Sequence, residues 1–273
     1  MAYLSKIEWC HHTFNAWWGC AKVPNDPACH NCYAETWAKR TGFQIWGQSK
    51  PRRMLSDAQW RKPLKWNREA ADAGERHRVF CSSMADVFED RDDLADARSR
   101  LWELIEATPS LDWLLLTKRP ENFGMLRVKS RHNVWLGVTA ATQKHYQERV
   151  PLLTKRSAAV HFVSMEPVRE CIDLQLDKKK YRPDWVIVGG ESGPRARETD
   201  ERWLQKAAYQ CVEAGVPIFV KQMGSRLVRP ADQLGINLDG MPVCAPVKLE
   251  DNKGGDPDEW IEALRRREFP EAA

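Results

Sequence analysis

Short apolar runs alternate with amphipathic stretches along most of the chain. The runs fall at Val79 to Cys81, Trp113 to Leu116, Val134 to Val138, Val160 to Val163, Trp185 to Val188 and Ile218 to Val220. Rich in β-branched and aromatic side chains and lacking polar alternation, they predict strands buried on both faces. Between them Leu94, Ala97, Leu101, Leu104 and Ile105 follow helical spacing, as do Trp203, Leu204, Ala207, Ala208, Cys211 and Val212. Thr142 is placed to cap a further helix carrying Tyr146, Val150 and Leu153 on one face. A first strand is expected near Phe14 to Trp18, and a first helix over Tyr33 to Arg40. Strand-then-helix order predicts a parallel sheet covered by helices, as a closed or open barrel or a doubly wound sheet. No GxGxxG opens a helix, which removes the usual support for a dinucleotide fold.

The residues that follow the strands are more informative than the strands. They are Ser82, Ser83 and Asp86; Lys118 and Arg119; Thr139; Glu166; Gly189, Gly190 and Glu191; and Lys221 with Gln222. In parallel α/β proteins the C-terminal strand ends share one side, where polar groups from successive loops converge on a ligand. Lys118 and Arg119 suit an anionic group. Pro167 blocks helix continuation and holds Glu166 at its strand end, as a ribose contact or an acid or base. Gly189 and Gly190 would let backbone approach a ligand closely, with Glu191 touching ribose or substrate. Beyond Gly224 the chain turns to loops rich in Pro, Gly and Asp, with a short helix expected near Trp260 to Arg267. The expected division is therefore a barrel over residues 1–223 and an extension over 224–273. Phe43 to Asn67 reads as irregular and basic, its Lys and Arg interleaved with Trp46, Trp60 and Trp66. Such cations track phosphates and such rings stack on bases, unless the Trp side chains simply cover the barrel.

Composition narrows the class. Of 273 residues 42% are apolar and 29% charged, the balance of a soluble globular protein. Lys plus Arg number 42 against 38 Asp plus Glu, a bias that permits an anionic substrate without requiring one. No run approaches the ~18 apolar residues of a membrane span. Met1 to Trp9 carries Lys6 and Glu8 and no apolar core, so a cytoplasmic protein with no membrane partner is expected.

In that compartment the eight cysteines are expected reduced, and a close group of them suggests a metal site rather than disulfides. Cys20, Cys29 and Cys32 are separated by eight and then two residues, with turn-forming Asn25, Asp26 and Pro27 in the longer gap. Two assignments compete. Structural zinc takes four ligands, and Cys10, His11, His12 or His30 could supply the fourth. A 4Fe-4S cluster held by three cysteines leaves one iron open to S-adenosylmethionine (SAM), whose sulfonium accepts an electron and releases a 5'-deoxyadenosyl radical. Polar strand ends favour the cluster, because a structural zinc needs no convergent site. Cys81, Cys171, Cys211 and Cys244 read as packed thiols.

The stretch TFNAWWGCAKVPNDPACHNCYAE resembles, together with SSMADVF, LLLTKRP, GVTA, SMEP, GGESGP, VKQMG and KGGDPDEWIEALRRREFP, a phage-encoded and bacterial radical-SAM-like family of largely unassigned function. The resemblance covers nearly the whole chain. It implies a partial (β/α)6-type barrel of parallel strands with an irregular C-terminal extension. It also implies cluster ligands at Cys20, Cys29 and Cys32, SAM as cofactor, and a reductant protein such as a flavodoxin or ferredoxin as partner. Barrels of this superfamily hold the SAM amino group on the loop after the second strand, which implies contacts for Ser82, Ser83 and Asp86. Lys118, Glu166 and Glu191 complete the expected cofactor-binding set. The sequence departs from the superfamily's CxxxCxxC pattern in its longer first gap, and Asn31 stands where an aromatic precedes the last cysteine. The expected activity is radical SAM chemistry, with modification or repair of a nucleic acid or nucleotide as a candidate. The alternative is a non-catalytic, zinc-stabilised nucleic-acid-binding protein.

Overall fold

In the computed structural model, residues 5–129, 131–230 and 244–271 are described. Parts of the N-terminal stretch and of the expected extension, at 1–4, 231–243 and 272–273, lie outside them. The chain divides into two compact units, one of residues 1–139 with 151–162 and 271–273, the other of 140–150 with 163–270.

The first unit begins with β1 (His12–Phe14), β2 (Trp17–Trp18), α1 (Tyr33–Arg40) and β3 (Arg53–Met54). It continues through α2 (Asp57–Trp60), α3 (Lys62–Ala73), β4 (His77–Cys81), α4 (Ala95–Glu106), β5 (Leu111–Thr117) and β6 (Val134–Thr139). β1 pairs with β4, β4 with β5 and β5 with β6, all parallel. Burial on both faces explains why these strands read as continuous apolar runs: Leu111, Trp113, Leu114 and Leu115 are all fully enclosed. Phe14 anchors the β1 edge between the edges of Trp60 and Trp113, at centroid distances of 5.2 and 5.6 Å.

The chain passes between the units through α5 (Gln143–Leu153) and β7 (Val160–Met165). Thr142 caps α5 as expected, its hydroxyl accepting from the His145 N–H at 3.4 Å. The second unit then holds β8 (Trp185–Gly189), β9 (Thr199–Asp200), α6 (Glu201–Ala214), β10 (Ile218–Gln222), β11 (Leu227–Pro230) and β12 (Cys244–Pro246). β8 and β10 pair in parallel. Asp200 caps α6 by accepting from the Arg202 N–H, and Gly215 ends it in the left-handed region at φ 64°. Trp185, Phe219 and Phe269 form an aromatic group with centroids 5.4 to 6.3 Å apart.

Seven strands follow one another in the order β1-β4-β5-β6-β7-β8-β10, with helices between them, the partial α/β barrel class that the resemblance implied. No helix of the described residues is long and apolar enough to cross a membrane.

Two local expectations are corrected. The basic segment from Phe43 to Asn67 is not irregular: α3 starts within it, with Pro at its first turn and Gly74 closing it at φ 68°. Nor does Trp260 to Arg267 form an α-helix. It makes only short 3-10 turns at Pro257–Glu259 and Glu262–Leu264. Its next residues lie along β10, where the Val220 N–H donates to the Arg266 carbonyl and Glu268 N–H to that of Ile218. Covering that edge needs an extended backbone, which a helix does not offer.

Candidate active site

The three cysteines occupy the first strand-to-helix connection. β2 leads into Gly19, held at φ 111°, where an added Cβ would lie 2.5 Å from the Ile45 carbonyl oxygen. Only glycine lets the chain pass so close. Cys20 follows. Asp26 caps the short 3-10 turn Pro27–Cys29 by accepting from the Ala28 N–H at 2.8 Å, and Cys32 is the N-cap of α1, its thiol making no capping bond. Cys29 and Cys32 thus bracket a two-residue step between a turn and a helix. All three thiols are unbridged and of intermediate exposure.

A network of ions grips the Cys20 arm. Glu89 Oε1 accepts from the Ala21 N–H at 2.9 Å, and Arg119 Nη2 donates to the Ala21 carbonyl at 2.5 Å. Glu89 is itself paired with Arg52 by two hydrogen bonds of 2.6 and 2.9 Å, with side chains 5% and 0% exposed. Arg52 also donates to the carbonyls of Ile45, Gly47 and Lys50, so one guanidinium ties the 45–50 loop to the cysteine arm. Arg119 Nη1 lies 3.8 Å from Cys20 Sγ and 3.0 Å from Asp86 Oδ2.

Asp86 is fully engaged. It accepts from the Thr117 hydroxyl at 2.7 and 2.9 Å, and from the N–H groups of Phe88 and Lys118 at 3.0 and 3.2 Å. Its carboxylate organises the β5 strand end. Ser83 is held too: its hydroxyl accepts from Asn15 Nδ2 at 3.1 Å, and its carbonyl from the Tyr33 hydroxyl at 2.6 Å. Ser82 is buried, its Oγ 3.4 Å from Cys81 Sγ.

Electrostatics separates the thiols. Burial, with Asp86 beside it, pushes the Cys20 thiol up to about 12 against the pull of Arg119. Burial also raises Cys29, and the Lys118 ammonium opposes that rise. Burial alone would lower Arg119, but Asp86 and Cys20 leave it raised, a permanent cation. The strand end after β5 thus brings one cation to each of two thiols.

Glu166 and Glu191 belong to the second unit. Glu166 Oε1 pairs with Lys221 Nζ at 2.8 Å, and its Oε2 accepts from the Ser164 hydroxyl at 3.3 Å. Glu191 is buried, and Arg197 engages both its oxygens at 2.7 and 2.8 Å. The close approach at Gly190 is to the chain's own backbone, since an added Cβ would lie 2.0 Å from the Met223 carbonyl oxygen, whereas one on Gly189 would make ordinary contact with Gln222 and Glu166.

The flanking histidines play a different part. His11 and His12 stand at the entry of β1, whereas the cysteines follow its exit. His11 stacks on His77 and His12 on Trp66, at 4.9 and 4.2 Å, and burial brings both down to about 4. Cys10, the rival fourth ligand, also precedes β1, its thiol turned to the Ile7 carbonyl at 3.6 Å. The His30 carbonyl accepts from Lys22.

Asn15, Arg52 and Glu89 were not among the expected site residues. Glu89 lies three residues past Asp86 in the same loop, but nothing local marks its partners, which are 37 and 68 positions away. The donor chemistry of the first connection, three reduced thiols with two cations, suits an iron-sulfur group with an open iron. Among the described residues no three His, Cys, Asp or Glu side chains converge as a ready metal-ligand set, and Cys20 is turned to Arg119.

Comparison with known proteins gives one family and one fold likeness. The profile of a family described as "Protein of unknown function (DUF5131)" matches residues 4–244. No curated protein matches the chain. A solved mutant of spore photoproduct lyase with bound AdoMet and dinucleoside spore photoproduct is similar at 14% identity and a TM-score of 0.46, over 70% of this chain and 58% of that one. A second mutant of that lyase is similar at 15% identity and a TM-score of 0.47, with the same coverage. The chain thus spans 58% of the lyase's length.

Proposed function

The chain belongs to the DUF5131 family, and for it we propose the function of a radical SAM enzyme, with Cys20, Cys29 and Cys32 holding a 4Fe-4S cluster. One observation carries this reading: three unbridged, partly buried thiols occupy a single connection of a parallel sheet, with Arg119 against Cys20 and the Lys118 ammonium opposing the rise of Cys29. The group would supply one electron to the sulfonium of SAM and so yield a 5'-deoxyadenosyl radical. A reductant protein of the flavodoxin or ferredoxin type serves as its electron source.

The chain's own residues bind and orient. Lys118, with no ion pair among the described residues, takes the SAM carboxylate. Ser82 and Ser83 lie on the strand end assigned to its amino group. Asp86 works through Arg119, keeping that guanidinium on the Ala21 carbonyl, next to the Cys20 thiol that would hold the cluster. Glu166 and Glu191 are left to their ion pairs with Lys221 and Arg197.

Anaerobic purification followed by metal analysis and incubation with SAM and dithionite tests the proposal. Wild type is expected to carry about four iron and four sulfide per chain and to release 5'-deoxyadenosine, while Cys32→Ala does neither. Wild type that releases no more than Cys32→Ala overturns the reading, and colourless protein with one bound zinc points instead to the non-catalytic alternative.

A further inference from the structure

The positive charge of the chain is concentrated. Residues 33–68 hold nine Lys and Arg against two Asp and Glu, a surplus of seven, whereas the whole chain has a surplus of four. The remainder is net acidic. Within this segment the Trp side chains noted for their spacing are packing groups: Trp60 is 5% exposed, Trp66 stacks on His12, and Trp46 packs against a buried cluster.

The exposed rings lie elsewhere. Tyr33 and Trp37 are 61% and 42% exposed, and helical geometry places them with Arg40 within about 60° of one another on α1. Ala34 and Ala38 face the interior. Trp37 abuts the edge of Trp18 at 5.0 Å, and the Arg53 guanidinium lies 4.5 Å from Trp18 and 4.2 Å from Phe43. The face therefore presents two exposed rings, Tyr33 and Trp37, bordered by the partly buried Trp18 and Phe43 with the Arg53 guanidinium over them. It starts next to Cys32 at Tyr33, whose hydroxyl donates to the Ser83 carbonyl.

Charge selects the occupant. Arg40, Lys50 and Arg53 have no acidic partner among the described residues. The acid on the other side of α1, Glu35, is neutralised by Lys22 and Lys39, both at 2.7 Å. The exposed rings of Tyr33 and Trp37, beside cations that no carboxylate neutralises, match a ligand that alternates flat bases with phosphates. A duplex keeps its bases stacked inside, so exposed rings favour an unpaired strand.

We propose that this face of α1, extended by Trp18 and Arg53, docks a single polynucleotide strand and leads it to the cysteine connection. The substrate class rests on the reading of that connection as the reactive site; the binding itself does not.

Fluorescence anisotropy of the full-length protein with a labelled oligodeoxynucleotide of about 12 nucleotides, a length one such surface can span, tests the proposal. Wild type is expected to bind the single strand at least about tenfold more tightly than the duplex of the same sequence. Trp37→Ala is expected to weaken binding at least about tenfold, the low range for losing one stacked base. Because Trp37 also packs on Trp18, Arg40→Glu, at an exposed residue without ion pairs, provides a variant that keeps the fold. It is expected to weaken binding several-fold and to reduce the salt dependence by about one phosphate contact. Equal affinity for duplex and single strand, or wild-type affinity in both variants, overturns the proposal. Release of 5'-deoxyadenosine without strand binding sinks the docking face alone, and strand binding without 5'-deoxyadenosine sinks the radical chemistry alone.

Discussion

The cysteine connection of the first unit and the strand ends of the second are built from the same residue types and put to opposite uses. In the second unit four carboxylates are each matched by a cation: Glu191 by Arg197, Glu166 by Lys221, Asp200 by Arg202 and Glu201 by Arg229. In the first, Arg52, Glu89, Asp86 and Arg119 satisfy one another and the backbone, leaving the Lys118 ammonium without an ion pair among the described residues and the thiols with only weak contacts. Ion pairs that close on themselves stabilise an element. Ion pairs that grip a peptide beside a reactive atom position that atom.

The sharpest way to break this comparison is to remove its deepest pair. Arg52→Met strands Glu89 as a buried, unpaired charge and is expected to cost about 3–5 kcal/mol in a urea titration. A cost below about 1 kcal/mol would mean that the clamp holds nothing. Acid should also separate the units. Burial lowers His11 and His12 to about 4 in the folded chain, below the ordinary value of 6.5, so the unfolded chain binds more protons between those values. Stability is then complete above about pH 6.5 and falls as the pH drops toward 4, by on the order of 2 kcal/mol. His12→Phe, which preserves the stack on Trp66, is expected to flatten that decline in a thermal midpoint series.

Smaller effects sharpen the contrast. Arg197→Met frees a buried carboxylate that water can still approach, because Arg197 is itself 26% exposed, and a cost of roughly 1–2 kcal/mol is expected. Arg226→Gln breaks a pair with Glu198 in which both side chains are more than half exposed, and stays within about 0.5 kcal/mol of wild type. If Arg226→Gln proved as costly as Arg197→Met, burial would not be what ranks these pairs.

The fold was largely legible because parallel strands enclosed on both faces leave continuous apolar runs, and all six such runs became strands. Helix α3 escaped notice because few of its residues are buried, Pro63 and Ala70 among them, and its basic residues mask the weak apolar stripe. The C-terminal segment misled for another reason: its periodicity is local, whereas its backbone is committed to a strand far away in sequence. The same division runs through the site. Cys20, Cys29, Cys32 and Asp86 announce themselves by type and position, but the partnership of Arg52 with Glu89 is a long-range fact that no window of sequence contains. The exposed rings were misjudged because spacing reports which residues could share a face, while burial decides which of them water reaches.

Ala21, the residue after Cys20, carries a further consequence. Its N–H donates to Glu89, a carboxylate locked in turn by Arg52, and its carbonyl is gripped by Arg119. A loop amide normally exchanges its hydrogen with solvent almost at once, since small openings suffice. Arg52 ties Glu89 to the 45–50 loop, and the Ala21 N–H is released only when Glu89 lets go. Its deuterium uptake is therefore expected to follow the slow core of the first unit, so that this one amide reports on the integrity of the cysteine arm.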